Sequence, residues 1–132
     1  MQYLVSILIP TYNRANLLKR AIESALKQSY DNIEIIVSDN CSTDDTKEVV
    51  SKFMDNRIRY FRNERNLGPI LNWRLSLKIA KGYLSVILSD DDYFLDEQYI
   101  ENVVKLFNRY HSVNLVITDC VLGKTNKEHR TH

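Results

Sequence analysis

Short runs rich in Val, Ile, Leu and Tyr recur at residues 4–9, 33–37, 58–61, 84–88 and 114–118, with room for a helix between each pair. Several of these runs are almost continuously apolar, which suits strands covered on both faces, as in parallel sheets. Parallel neighbours also need crossovers of a dozen residues or more, and the intervening segments supply them. Leu17, Leu18, Ala21, Ile22, Ala25 and Leu26 share one helical face. Ser42-Thr43-Asp44-Asp45 carries a helix-start signal and precedes Val49, Val50 and Phe53. A third helix is predicted over 70–80, with Ile70, Trp73 and Leu77 as its apolar side and Gly82 as its stop. Ile100, Val103, Val104 and Phe107 mark a fourth. The predicted order is βαβαβαβαβ, an open α/β sheet with helices on both faces.

At 132 residues the chain holds one domain, predicted over 1–122, followed by a polar tail over 123–132. Eighteen basic against 17 acidic residues give a net charge of +1, so no global field draws the chain to nucleic acid or anionic lipid. No apolar run is long enough to span a bilayer. Cys41 and Cys120 are far apart and form no CxxC, which argues against a disulfide framework or a zinc site and for a reducing, cytoplasmic setting. His111, His129 and His132 do not fall at ligand spacing.

In open α/β sheets ligands bind beyond the carboxyl ends of the strands, so the polar residues just after each run matter most. These are 10–14 (Pro-Thr-Tyr-Asn-Arg), 38–42 (Ser-Asp-Asn-Cys-Ser), 63–68 (Asn-Glu-Arg-Asn-Leu-Gly) and 89–92 (Ser-Asp-Asp-Asp). Three consecutive carboxylates repel one another unless solvated, hydrogen-bonded or neutralised by a cation. Oxygen ligands with positions left open for phosphate fit Mg²⁺ or Mn²⁺ better than Zn²⁺. The competing reading makes Asp91, Asp92 and Asp96 acidic residues at the start of the fourth helix. Asp39 has two readings as well: acceptor for an N–H of a base or a ribose hydroxyl, or cap of a turn with Ser42 or Thr43. Tyr12 is either a stacking platform or simple packing.

The only glycines are Gly68, Gly82 and Gly123, so the dinucleotide fingerprint and the Walker loop are both excluded. A phosphoryl-receiver domain needs acids after the first strand and an Asp after the third, where this chain has Pro10-Thr11-Tyr12 and Arg62-Asn63. Taken together, residues 5–14 (VSILIPTYNR), 34–46 (EIIVSDNCSTDDT) and 88–92 (LSDDD) closely resemble the family 2 glycosyltransferases, in order and in spacing. The resemblance covers roughly residues 3–119 and implies a Rossmann-like GT-A fold that binds a nucleotide-diphosphate sugar.

Carried over residue by residue, the resemblance places Pro10, Thr11, Tyr12, Asn13, Asp39, Asn66 and Asp90 at the nucleotide, commonly a uridine. It makes the acidic tract the DxD motif, with Asp91 or Asp92 as ligand of Mn²⁺ or Mg²⁺ according to the register chosen. The implied partners are a UDP-sugar and a saccharide acceptor in polysaccharide synthesis, in the cytoplasm or at the inner face of its membrane. The family's catalytic base lies well beyond the DxD motif, past His132, and Asp119 comes too early for that role. The chain then corresponds to a donor-binding half, inactive by itself and prone to self-association through uncovered sheet. A non-catalytic nucleotide-sugar-binding or structural fragment is the alternative. Asn40-Cys41 stands where many members have an acid and a Gly, and Asn72-Trp73-Arg74 replaces a more frequent Arg-Asn pair.

Overall fold

The computed structural model describes residues 1–118, 120 and 121. Eight elements alternate: β1 (Val5–Thr11), α1 (Ala15–Leu26), β2 (Ile33–Asp39), α2 (Thr46–Ser51), β3 (Ile58–Arg62), α3 (Pro69–Ile79), β4 (Leu84–Ile87) and α4 (Tyr99–Arg109). The strands form one parallel sheet in the order β3-β2-β1-β4. The expected open, Rossmann-like α/β sheet is therefore present.

β1 and β2 are buried along their whole length, as central strands covered on both faces are. Alternation then sorts their side chains between two layers. Val5, Ile7, Ile9, Ile33, Ile35 and Val37 join Leu18, Ala21, Ile22 and Ala25 of α1, Val50 of α2, and Ile100 and Val104 of α4 in the main core. The opposite face holds Leu8 and Ile36 with the polar Ser6, Glu34 and Ser38, and α3 lies against β1 and β2.

That polar second face overturns one expectation. α3 turns Asn72 and Ser76 inward, whereas Ile70, Trp73 and Leu77 are largely exposed. Asn72 is drawn inward because Ser38 offers it two hydrogen bonds: Ser38 Oγ donates to its Oδ1, and its Nδ2 donates to Ser38 O, each at 2.8 Å. Residues 114–118 differ as well. No strand forms there among the described residues, so β4 pairs with β1 alone and ends the sheet. Asp119 and residues 122–132, including the predicted polar tail, lie outside the described residues.

The helix-start signal at 42–45 is used differently from expectation. α2 begins at Thr46 with no side-chain cap from Asp45, and Asp44 Oδ1 accepts from Thr46 N and Oγ1. The other Asp44 oxygen accepts the first N–H of α1, from Ala15, at 3.0 Å. Ser42 is occupied elsewhere, as described below.

Gly82 sits where the chain leaves α3 for β4. A Cβ there would meet Ser6 N and Oγ at 2.6 Å and Leu84 O at 2.7 Å, and Gly82 N donates to Ser6 Oγ at 2.8 Å. We expect Gly82→Ala to destabilise the domain by about 2 kcal/mol through overpacking against backbone. Urea unfolding checks this, and an unchanged midpoint would contradict it.

Candidate functional site

Parallel pairing brings the loops to one edge. Thr11 and Asp39 are Cα partners at the carboxyl ends of β1 and β2, and Leu88 N donates to Leu8 O to carry β4 up beside β1. The next residues after β4 are therefore delivered to the loop after β1. Thr11 Oγ1 donates to Asp90 Oδ2 at 2.8 Å, and Asp90 is buried. Arg14 Nη1 lies 3.1 Å from Asp90 Oδ1 and 3.1 Å from Asp91 Oδ2. Ser89 Oγ donates to Asp91 Oδ1 at 2.7 Å. This hydroxyl lowers the Asp91 pKa, against a smaller opposing effect of burial, and the Arg14 charge adds to the lowering. The Asp91 carboxylate is thus held ionised.

A cleft of about 330 Å³ opens at this edge, lined by Pro10, Thr11, Tyr12, Arg14, Asn40, Asn66, Pro69, Asn72, Trp73, Ser89 and Asp90. Of the residues expected at the nucleotide, Pro10, Thr11, Tyr12, Asn66 and Asp90 line it, while Asn13 and Asp39 do not.

Asp39 is 1% exposed and fills the turn-capping role. Its Oδ1 accepts from Ser42 N at 2.8 Å, and its Oδ2 accepts from the Tyr60 hydroxyl at 2.6 Å and pairs with Arg62 Nε at 3.5 Å. Burial, then the hydrogen bond to Asp39, pushes the Tyr60 pKa far up, so the phenol stays a donor. Asn13, outside the cleft lining, is in the left-handed region at φ 52°, which Asn tolerates better than most residues. Its Oδ1 accepts from Thr43 N at 2.7 Å and its N donates to Ser42 Oγ at 2.9 Å, joining the loops after β1 and β2. Cys41, at φ 67°, holds a left-handed conformation that favours glycine.

The sequence reading missed an asparagine lattice. Asn40 Oδ1 accepts from Asn63 Nδ2 and Leu67 N, Asn40 Nδ2 donates to Asn66 Oδ1, and Asn63 Nδ2 also donates to Asn72 Oδ1. It fastens the loop after β3 to the loop after β2 and to α3. The only signal in the sequence was Asn40 just after β2 and Asn63 and Asn66 just after β3, which by themselves read as turn chemistry. Arg74 is exposed and lies outside the cleft lining, which Trp73 joins instead.

The acidic tract does not start α4, which begins at Tyr99; Asp96 alone serves that end, accepting from Gln98 N at 2.8 Å. Asp90 and Asp91 instead converge on one cationic nitrogen, Arg14 Nη1. Two carboxylate oxygens aimed at one positive centre fit a hard divalent cation whose other ligands are phosphate and water. Among the described residues no group of three or more Asp, Glu, His or Cys side chains is placed to hold a metal ion. Asp92 is exposed; its N–H donates to Ser89 O, and among the described residues its carboxylate has no recorded partner.

The sequence pattern of "Glycosyl transferase family 2" matches residues 6–132. The chain belongs to this family. A family 2 relative in Escherichia coli, the UDP-Glc:alpha-D-GlcNAc-diphosphoundecaprenol beta-1,3-glucosyltransferase WfaP, is 40% identical over 108 residues, 82% of this chain and 40% of that protein. The GalNAc(5)-diNAcBac-PP-undecaprenol beta-1,3-glucosyltransferase of Campylobacter jejuni is 44% identical over 94 residues, 69% of this chain and 30% of that protein. The chain therefore spans well under half the length of these relatives. Among solved structures, S. aureus TarS 1-349 in complex with UDP superposes with a TM-score of 0.76 at 25% identity, over 89% of this chain and 38% of that one. A mannosyltransferase from Pyrobaculum calidifontis in complex with GDP-Man and Mn²⁺ gives 0.74 at 25% identity, over 81% and 33%. These matches carry the GT-A assignment for the family 2 sheet. No helix among the described residues is long and apolar enough to cross a membrane.

Proposed function

We propose that this family 2 domain binds the nucleotide-diphosphate sugar, a UDP-sugar, in a glycosyltransferase that extends a saccharide acceptor. The observation that carries the reading is the convergence of Asp90 and Asp91 on one cationic point at the mouth of the cleft. A divalent ion held there, by Asp91 with Asp90 or Asp92 beside it, would stabilise the charge that grows on the departing diphosphate.

The chain's own residues do the rest of the donor binding. Tyr12 and Pro10 offer an apolar floor for the base, and the Asn66 and Asn40 amides border the same space. Asp39 shapes the loop through Ser42 and Tyr60, and any contact of its carboxylate with the base requires the Tyr60 hydroxyl to yield. Thr11 keeps the Asp90 carboxylate turned toward the cleft mouth. Transfer also needs a general base on the acceptor side of the sugar. By the family resemblance that base comes from the acceptor-binding part, later in the order than the acidic tract.

Support for uridine comes from the two UDP-glucose-named and UDP-bound matches, with GDP as the rival drawn from the mannosyltransferase. Calorimetric titration with UDP, UDP-glucose and GDP, with and without Mn²⁺, tests the proposal. UDP is expected to bind only with the metal and at least about tenfold more tightly than GDP, a difference of about 1.4 kcal/mol. Equal binding of GDP would refute the uridine assignment, and metal-independent binding would refute the cation's role.

A further inference from the structure

Arg14 is the residue on which Asp90 and Asp91 close, and it also lines the cleft. Asp90 is 4% exposed, so its charge is costly to leave unpaired; Thr11 satisfies one oxygen and Arg14 is the cation at the other. Arg14 itself is half exposed, so its guanidinium can leave that pair with little desolvation cost. The nearby cation Arg20 is engaged elsewhere, donating to Asp91 O at 3.2 Å and lying 4.3 Å over the Tyr93 ring.

A divalent ion bound by the same two carboxylate oxygens at about 2.1 Å needs the space that Nη1 holds. Guanidinium and metal cannot share it, because both the volume and the like charges forbid it. We infer that Arg14 is a resident counter-cation that competes with the divalent ion for Asp90 and Asp91 and, once displaced, grips the donor diphosphate. This rests on the donor-site reading above. The planar fork of arginine suits two phosphate oxygens, and Arg14 sits on the cleft wall from which it can reach them. Metal alone must then pay for evicting Arg14, whereas metal arriving with a nucleoside diphosphate gives the guanidinium a new anion. The two ligands bind with positive coupling as a result.

The test measures Mn²⁺ binding by the loss of its free-ion electron paramagnetic resonance signal, and UDP binding by calorimetry at saturating Mn²⁺. In Arg14→Gln, Mn²⁺ alone is expected to bind about tenfold more tightly and UDP about tenfold more weakly, each the scale of one charge-assisted hydrogen bond. In Arg14→Lys, which keeps the charge but not the fork, Mn²⁺ affinity stays near that of the parent chain while UDP binding weakens. Unchanged or weaker Mn²⁺ binding in Arg14→Gln, or unchanged UDP binding in Arg14→Lys, overturns the inference and leaves Arg14 a brace between two loops. If Arg14→Gln does not fold, the Arg14→Lys result decides. Failure of the parent chain to bind UDP with Mn²⁺ removes the donor-site reading itself, and this inference with it.

Discussion

Replacing Asp90 and Asp91 together by Asn is expected to weaken Mn²⁺-dependent UDP binding by about a hundredfold or more, because even the partners of metal ligands act on a scale of about 10- to 100-fold. Asn keeps the shape of each side chain and the acceptor that Thr11 needs, so the loops should hold while the charge disappears. What is lost is the pair of anionic oxygens that meet at Arg14 Nη1. Calorimetry with Mn²⁺ and UDP reads the effect, and the thermal midpoint reports whether the fold survives. Asp92→Asn belongs beside it. Its carboxylate has no recorded protein partner among the described residues, so a loss as large as that of the double variant would move the metal register to Asp92. Undiminished binding in the Asp90, Asp91 double variant would defeat the site.

Glu34→Ala should be strongly destabilising, costing about 3 kcal/mol, the low end of what removing one partner from a buried ion pair costs because Arg59 is partly exposed. That is a large share of the roughly 5–15 kcal/mol that holds a domain folded. Glu34 is 6% exposed on the α3 side of the sheet. Its Oε1 accepts from Ser6 Oγ on β1 and from Lys81 N in the turn after α3, both at 2.6 Å. Its Oε2 accepts from Arg59 Nη1 on β3, which also donates to Ile79 O at the end of α3. One carboxylate thus ties three strands to the turn after α3, and its loss strands the buried Ser6 hydroxyl together with the part-buried Lys81 N–H and Arg59 guanidinium.

Burial alone would raise the Glu34 pKa, but hydrogen bonds from Ser6 and Lys81 and the Arg59 pair outweigh it, leaving the value lowered. A carboxylate lowered by folding stabilises fully above its unfolded pKa, about 4.3, and loses that contribution as pH falls through the lower folded value. Urea unfolding from pH 6 down should therefore show a loss of stability below about pH 5 that Glu34→Gln lacks. A Gln variant with the same acid slope as the parent would count against Glu34 as its source.

The predicted strands and helices that hold are those whose pattern depends on burial alone. The apolar runs of β1 and β2 and the stripe of α1 could be read directly, since a strand covered on both faces is mostly apolar and the few polar positions, Ser6, Glu34 and Ser38, do not break the pattern. α3 could not be read this way. Its apolar residues promised an inward face, but Ser38 and Asn72 satisfy each other in the interior and rotate Ile70, Trp73 and Leu77 outward. The run at 114–118 failed for a different reason: a strand is realised only when a neighbour accepts its backbone hydrogen bonds, and among the described residues none pairs there.

The cleft divides in the same way. From the sequence alone, the positions of the strand ends, and with them the residues that meet at one edge, follow from parallel topology and its crossovers. Three motifs in the sequence already resembled the family, and the match over residues 6–132 established membership. Only the folded chain decided which group each polar residue faces: Asp39 toward Ser42 and Tyr60, Asp90 and Asp91 toward Arg14, four asparagines toward one another. Hydrophobic pattern is set by whether a position is buried, a property a periodicity can carry. A hydrogen-bond partner is set by distances of about 3 Å between groups far apart along the chain, and no local pattern encodes those.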